Sequence, residues 1–299
     1  MTSPLRFALA ALLTAAFPAA GRAQESVLDR PIEKEGWPIE VTRRPLTLAE
    51  SMIEVTVPLG IGISKDRNGK PITLSPSIYY GVSDGLTVGI RHFAGLCFSG
   101  TPDCSRVYED LSVDTLWRLW RGVSTDLALG VALNASPITD PLALSAEARL
   151  LGRFRAGPAA LMVAPTFEIG ITNRDTPAVR TAPLAFPLAT VPFGYFHGYV
   201  QERLLGNREL LRVPVSLAVQ ATPALALALG ASLDGPLSPP VGSFSDLYTI
   251  PVGVALVFSP SNMVDVGASL TFLNLLGKQL AGVDRTDLRA MQAFVSVRL

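Results

Sequence analysis

The sequence predicts an all-β chain, a closed antiparallel up-and-down β-barrel of about 14 strands with 12 as the alternative. Three observations predict it. From Met52 onward, segment after segment alternates apolar residues with polar or small ones, the period of an extended strand. The connections between these segments alternate short and long. The closing segment, Met291 to Leu299, keeps the same period to the final residue, where a soluble domain usually frays.

The strands follow in order. Ile53, Val55, Val57, Leu59 and Ile61 share a face opposite Glu54 and Thr56. Ile72, Leu74, Ile78 and Tyr80 continue it, and Ser83-Asp84-Gly85 makes a tight hairpin turn. Leu86, Val88 and Ile90 oppose Arg91. Leu111 to Leu119 set Val113, Thr115 and Trp117 against Asp114 and Arg118. Leu127 to Leu133 alternate with small residues. Leu144, Ala146, Ala148 and Leu150 oppose Glu147, Arg149 and Arg153, and Phe167, Ile169 and Ile171 oppose Glu168. Leu211 to Val219 oppose Arg212 and Ser216, Leu225 to Leu233 alternate with Ala and Gly, Tyr248 to Phe258 with Thr, Gly and Ala, and Val264 to Phe272 with Asp265, Gly267 and Ser269. Short turns fall at 83–85, 121–123, 155–158, 221–223 and 259–262. Residues 183–206 have no clear period. An even strand number requires them to hold two strands or none; a turn at Pro192-Phe193-Gly194 gives two and a total of about 14.

The last strand, apolar at Met291, Ala293, Val295, Val297 and Leu299, resembles the closing strand of bacterial outer-membrane β-barrel proteins, although those most often end on an aromatic residue. The resemblance is one of pattern over 51–299. It implies a porin-like transmembrane barrel, with short turns in the periplasm, longer loops outside, and the first strand paired with the last.

In a soluble sandwich the apolar face would point inward. Three features turn it toward lipid. The segments are about 10 residues or longer, enough for a tilted span. The opposite face carries ionisable groups at mid-strand: Glu54, Arg91, Asp114, Arg118, Glu147, Arg149, Glu168, Arg212 and Asp265, which we take as pore-lining. Tyr80, Trp117, Phe154 and Phe258 all sit just before short turns, at one height, as in an interfacial aromatic girdle, with Tyr248 and Phe272 at the other rim.

Residues 1–23 read as a secretory signal peptide: Arg6, the apolar run from Phe7 to Ala16, and cleavage after Ala23. The apolar core is too short to anchor the chain, since a span needs about 20 apolar residues. Residues 24–50 are polar, carry Pro31, Pro38 and Pro45, and read as a mobile periplasmic N-terminal arm. The only cysteines, Cys97 and Cys104, would close a small loop disulfide in an oxidising compartment.

Lys+Arg and Asp+Glu are equal at 25 each, which argues against a nucleic-acid partner. No phosphate loop, dinucleotide fingerprint or metal-spaced cluster is present, so neither a metal nor a cofactor is expected. His92 falls near a strand end. His197 is the one candidate base for an outer-membrane lipid-hydrolysing enzyme, but no serine sits in a nucleophile motif beside it. The expectation is a non-enzymatic pore for small polar solutes, held in outer-membrane lipid. A structural or assembly barrel, with 24–50 as plug or tether, is the other class. Many inward positions are Gly, Ala or Ser, which leaves room for water.

Overall fold

The computed structural model describes residues 33–64, 72–92, 96–98, 110–136, 138, 142–174, four two-residue strands between 182 and 196, 207–239, 242–277, 286 and 289–299. A 3-10 turn at Val41–Arg43 precedes β1 (Ile53–Gly62), β2 (Ile72–Leu74), β3 (Ser77–Ser83), β4 (Leu86–Arg91), β5 (Leu96–Cys97), β6 (Leu111–Arg121), β7 (Thr125–Ala135), β8 (Leu144–Ala156), β9 (Ala159–Val163) and β10 (Thr166–Gly170). There follow β11 (Ala182–Pro183), β12 (Pro187–Leu188), β13 (Val191–Pro192), β14 (Tyr195–Phe196), β15 (Leu210–Thr222), β16 (Leu225–Pro236), β17 (Val252–Ser261), β18 (Val264–Phe272) and β19 (Arg289–Arg298).

All except β11–β14 form one antiparallel sheet, and its ends meet. β1 pairs with β19 from Glu54 opposite Arg298 to Gly62 opposite Ala290. The ladder continues to the terminal residue: Leu299 N–H donates to the Ile53 carbonyl at 2.8 Å, and Ile53 N–H donates back at 3.0 Å. Closure leaves the wall with no open edge, which hydrocarbon would penalise by several kcal/mol per unpaired backbone group.

The wall has twelve strands, the smaller of the two counts the sequence allows, and the larger count of fourteen is corrected. The reason lies in 183–206. β15 pairs directly with β9 and β10, so nothing is inserted between them. β11 pairs with β14 and β12 with β13, off the wall. Two wall strands are broken at a proline. β2 and β3 both pair with β1 across Ser75-Pro76, and β9 and β10 both pair with β8 across Ala164-Pro165. Proline has no N–H to donate, so the ladder lapses for a residue while the strand runs on. Between β8 and β9 the chain turns in two residues, and Gly157 takes φ +59°, which favours glycine.

The alternation has the expected sense. Leu129, Val131, Leu133, Leu227, Leu229, Val254 and Leu256 are exposed on the outside. Tyr80, Trp117, Phe154 and Phe258 are exposed there too, each close to a short turn. Tyr248 departs from expectation. It follows a helical turn at Phe244–Leu247 and stacks on Phe244, so it belongs to an outer connection and not to β17.

Candidate functional site: the inside of the cylinder

The inward positions carry two groups of buried charge at different heights. The first lies in the half nearer the long connections. Arg91 at the end of β4 reaches Glu147 at 2.8 Å and Asp114 at 3.6 Å. Arg149, two residues along β8 from Glu147, bonds it at 2.9 Å and also bonds Asp114. The Tyr79 hydroxyl donates to Asp114 at 2.9 Å. Arg212 pairs with Glu168, which also accepts from Ser145. Neighbouring strands put these groups within reach of one another because inward residues recur every second position. The result is a braced arc of alternating signs from β4 to β15.

The second group lies at the short-turn end. Arg298 donates to Glu54 at 2.7 Å and also to Asp265. Asp265 accepts from Ser259 at 2.6 Å. Its other partner comes from outside the wall: Arg44, which donates to its two oxygens at 2.6 and 2.9 Å.

Arg44 belongs to the segment expected to be a mobile arm, and much of the described part of that arm packs inside the cylinder. Trp37, Val41, Arg44, Leu46, Leu48, Ala49 and Met52 are each 2% exposed or less. Val41 rests on Ala218, Ala226, Ala228, Ala255, Val257 and Phe294. Leu46 packs with Leu116, Leu151 and Met162, and Leu48 and Met52 with Tyr79. The alanines expected to leave room for water are the seat of the arm at this level. Polar contacts reach four of the short turns. Thr47 donates to the Asp84 carbonyl at 2.8 Å, Asn262 to the Glu35 carbonyl at 3.4 Å, Arg155 to the Arg43 carbonyl at 3.5 Å, and Thr42 N–H donates to the Gln220 side chain at 3.4 Å. At Gly81 the arm comes so close that a Cβ would stand 1.8 Å from the Ala49 carbonyl oxygen.

Of the nine ionisable residues singled out from sequence, all lie on the inner face of their strands. Glu54, Arg91, Asp114, Glu147, Glu168, Arg212 and Asp265 are buried, Arg149 is nearly so, and Arg118 is half-buried near the turn at Asp84-Gly85. The structure joins Arg91, Asp114, Glu147 and Arg149 in one cluster, pairs Glu168 with Arg212, and places Glu54 and Asp265 apart in the second group. Arg298 and Arg44 went unselected. Arg298 was within reach, being on the polar face of the closing strand. Arg44 gave no signal, because an irregular segment has no period. His92 lies just beyond β4, with Nδ1 2.7 Å from the Pro76 carbonyl oxygen. Cys97 is buried on β5 opposite Thr73. Cys104 and His197 lie outside the described residues.

No protein-family model matches the chain, and no curated protein matches it in sequence. Solved structures do. The NanC porin superposes with a TM-score of 0.52 at 9% identity, over 82% of this chain and 100% of that one. A COG4313 outer-membrane channel from Pseudomonas putida F1 superposes with a TM-score of 0.53 at 10% identity, over 85% of this chain and 97% of that one. The chain has the fold of a porin-like outer-membrane β-barrel.

Proposed function

We propose that the protein is a bacterial outer-membrane pore for small hydrophilic solutes, exported by the signal in 1–23, with the arm as a plug at its periplasmic mouth. The observation that carries this reading is the way the inner end is filled. A separate stretch of chain crosses the short-turn end and is seated on alanines at 218, 226, 228 and 255 together with Leu116, Leu151, Met162, Phe294 and Tyr79, so the wall by itself does not fill this end. Above the plug, the arc of paired Arg, Asp and Glu makes the inner wall polar, and in this reading solutes meet these groups when the lumen opens. The balanced signs favour weak selectivity among ions. In the same reading Cys97 and Cys104 close a disulfide in an outer loop, which reduction would reveal as a mass gain of about two protons per chain.

Planar-bilayer recording tests the pore. Full-length protein should give small conductance steps, and protein lacking 24–50 should give larger ones. Silence from both proteins, with folding verified by their strand content, would sink the pore and leave a structural barrel.

A further inference from the structure

Beneath the arm, on the part of the wall formed by β6, β7, β8 and β9, the charges do not balance. Arg153 faces inward from β8, opposite Asp126 of β7 and Met162 of β9. Its side chain is fully buried, and its Nε, Nη1 and Nη2 meet no hydrogen-bond acceptor among the described residues. A guanidinium keeps its proton in a protein, so this is a permanent charge out of water. Asp126, opposite it on β7, accepts from Arg155 through Oδ2 and keeps a buried Oδ1 without a donor among the described residues, so one carboxylate stands against the two guanidinium groups of Arg153 and Arg155. Nε of Arg155 is also buried without an acceptor among the described residues. Arg155 further reaches the backbone of the arm at Arg43.

We propose that Arg153, with Arg155 beside it, forms a binding site for a small oxyanion of the phosphate class, closed over by the arm. The guanidinium fork of Arg153 matches two oxygens of such an anion, a geometry that a single halide cannot satisfy. The anion supplies the negative charge that Asp126 alone does not. Withdrawal of the arm would open the site to water and weaken it, so an anion bound there favours the inserted arm by mass action. The site is thus a lock on the plug, and the proposal rests on reading 24–50 as that plug.

The test reads the arm and not the current, so it stands apart from the pore. Full-length protein folded in detergent micelles is exposed to trypsin, and cleavage after Arg43 is followed by mass spectrometry. Val41, Thr42 and Arg44 around that bond are buried, so cleavage requires the arm to leave. Inorganic phosphate is compared with sodium chloride at equal ionic strength, which equalises screening. A free peptide of the arm, cut in both salts, corrects for any effect on the protease. Cleavage of the wild-type protein should slow about tenfold at phosphate near ten times its dissociation constant. Arg153→Met should show no phosphate dependence. If that variant does not fold, Arg153→Lys, which keeps the charge without the fork, should lose most of the response. Equal rates for the wild type in both salts overturn the proposal, as does an undiminished phosphate response in the Arg153 variant that folds.

Discussion

Asp265 is the carboxylate on which two buried arginines converge, Arg44 from the arm and Arg298 from the closing strand. Taking these ions out of water costs several kcal/mol each, and their bonds must offset that cost. Arg44 does so by also donating to Ser259 and to the Pro38 and Ile39 carbonyls at 2.8–3.1 Å. Removing one partner exposes the cost. Asp265→Asn leaves Arg44 without a carboxylate and Arg298 with Glu54 alone, and should destabilise the folded barrel by about 3–5 kcal/mol, read from urea unfolding in lipid vesicles. Arg44→Met leaves Asp265 bound to Arg298 and Ser259. It should therefore lower wall stability much less while freeing the arm, seen as new quenching of Trp37 by an aqueous quencher. A Trp37 that stays protected in Arg44→Met would show that the apolar seat alone holds the segment. Outside the wall, Glu209 accepts from Ser238 and from Arg174, tying two outer connections. These bonds favour the charged carboxylate and pull its pKa from 4.5 down to about 2. A folded-state pKa below the unfolded one gives stability that is present above 4.5 and is lost as pH falls toward 2. Between about pH 5 and about pH 2, the wild type should therefore lose more melting temperature than Glu209→Gln, with parallel losses counting against the latch.

At the scale of elements, each wall strand has an apolar and a polar face, and the apolar one is turned outward. Leu229, near the middle of β16, is 54% exposed on the outside. Leu229→Arg should cost about 2–4 kcal/mol of unfolding free energy in vesicles, as charge at the midplane of a barrel's lipid face does. A cost near zero would mean that the outer face is not in hydrocarbon. The wall strands were legible because a strand's two faces meet different solvents, which writes a two-residue period into sequence. The arm was not legible for the converse reason. Val41, Leu46 and Leu48 each reach a different part of the inner wall, and Trp37 returns to the cluster of Leu48, so their spacing follows the shape of the cavity and not a repeat. The signal for it was indirect: the run of alanines at 218, 226, 228 and 255 recorded a space that something had to occupy.

The whole molecule depends on β1 meeting β19. Removing residues 290–299 would leave β1 and β18 as edges in hydrocarbon, with unpaired groups at several kcal/mol each. Such a chain should fail to give a protease-resistant barrel in vesicles, and recovery of a resistant core would show that another strand can close the wall. Closure also limits what sequence can settle. The parity of the strand count was readable, since both ends of the wall lie on the short-turn side. Whether 183–206 added two strands or none was not, because that choice is made by β15 pairing directly with β9 and β10. By itself the sequence determined the barrel class, the facing of each strand, the short-turn end and the inward acids and arginines, because these are local consequences of alternating solvents. Only the tertiary structure decided which inward charges pair, how many strands close the ring and that Trp37, Val41, Arg44, Leu46 and Leu48 pack within it, because those depend on distances across the cavity that no spacing along the chain encodes.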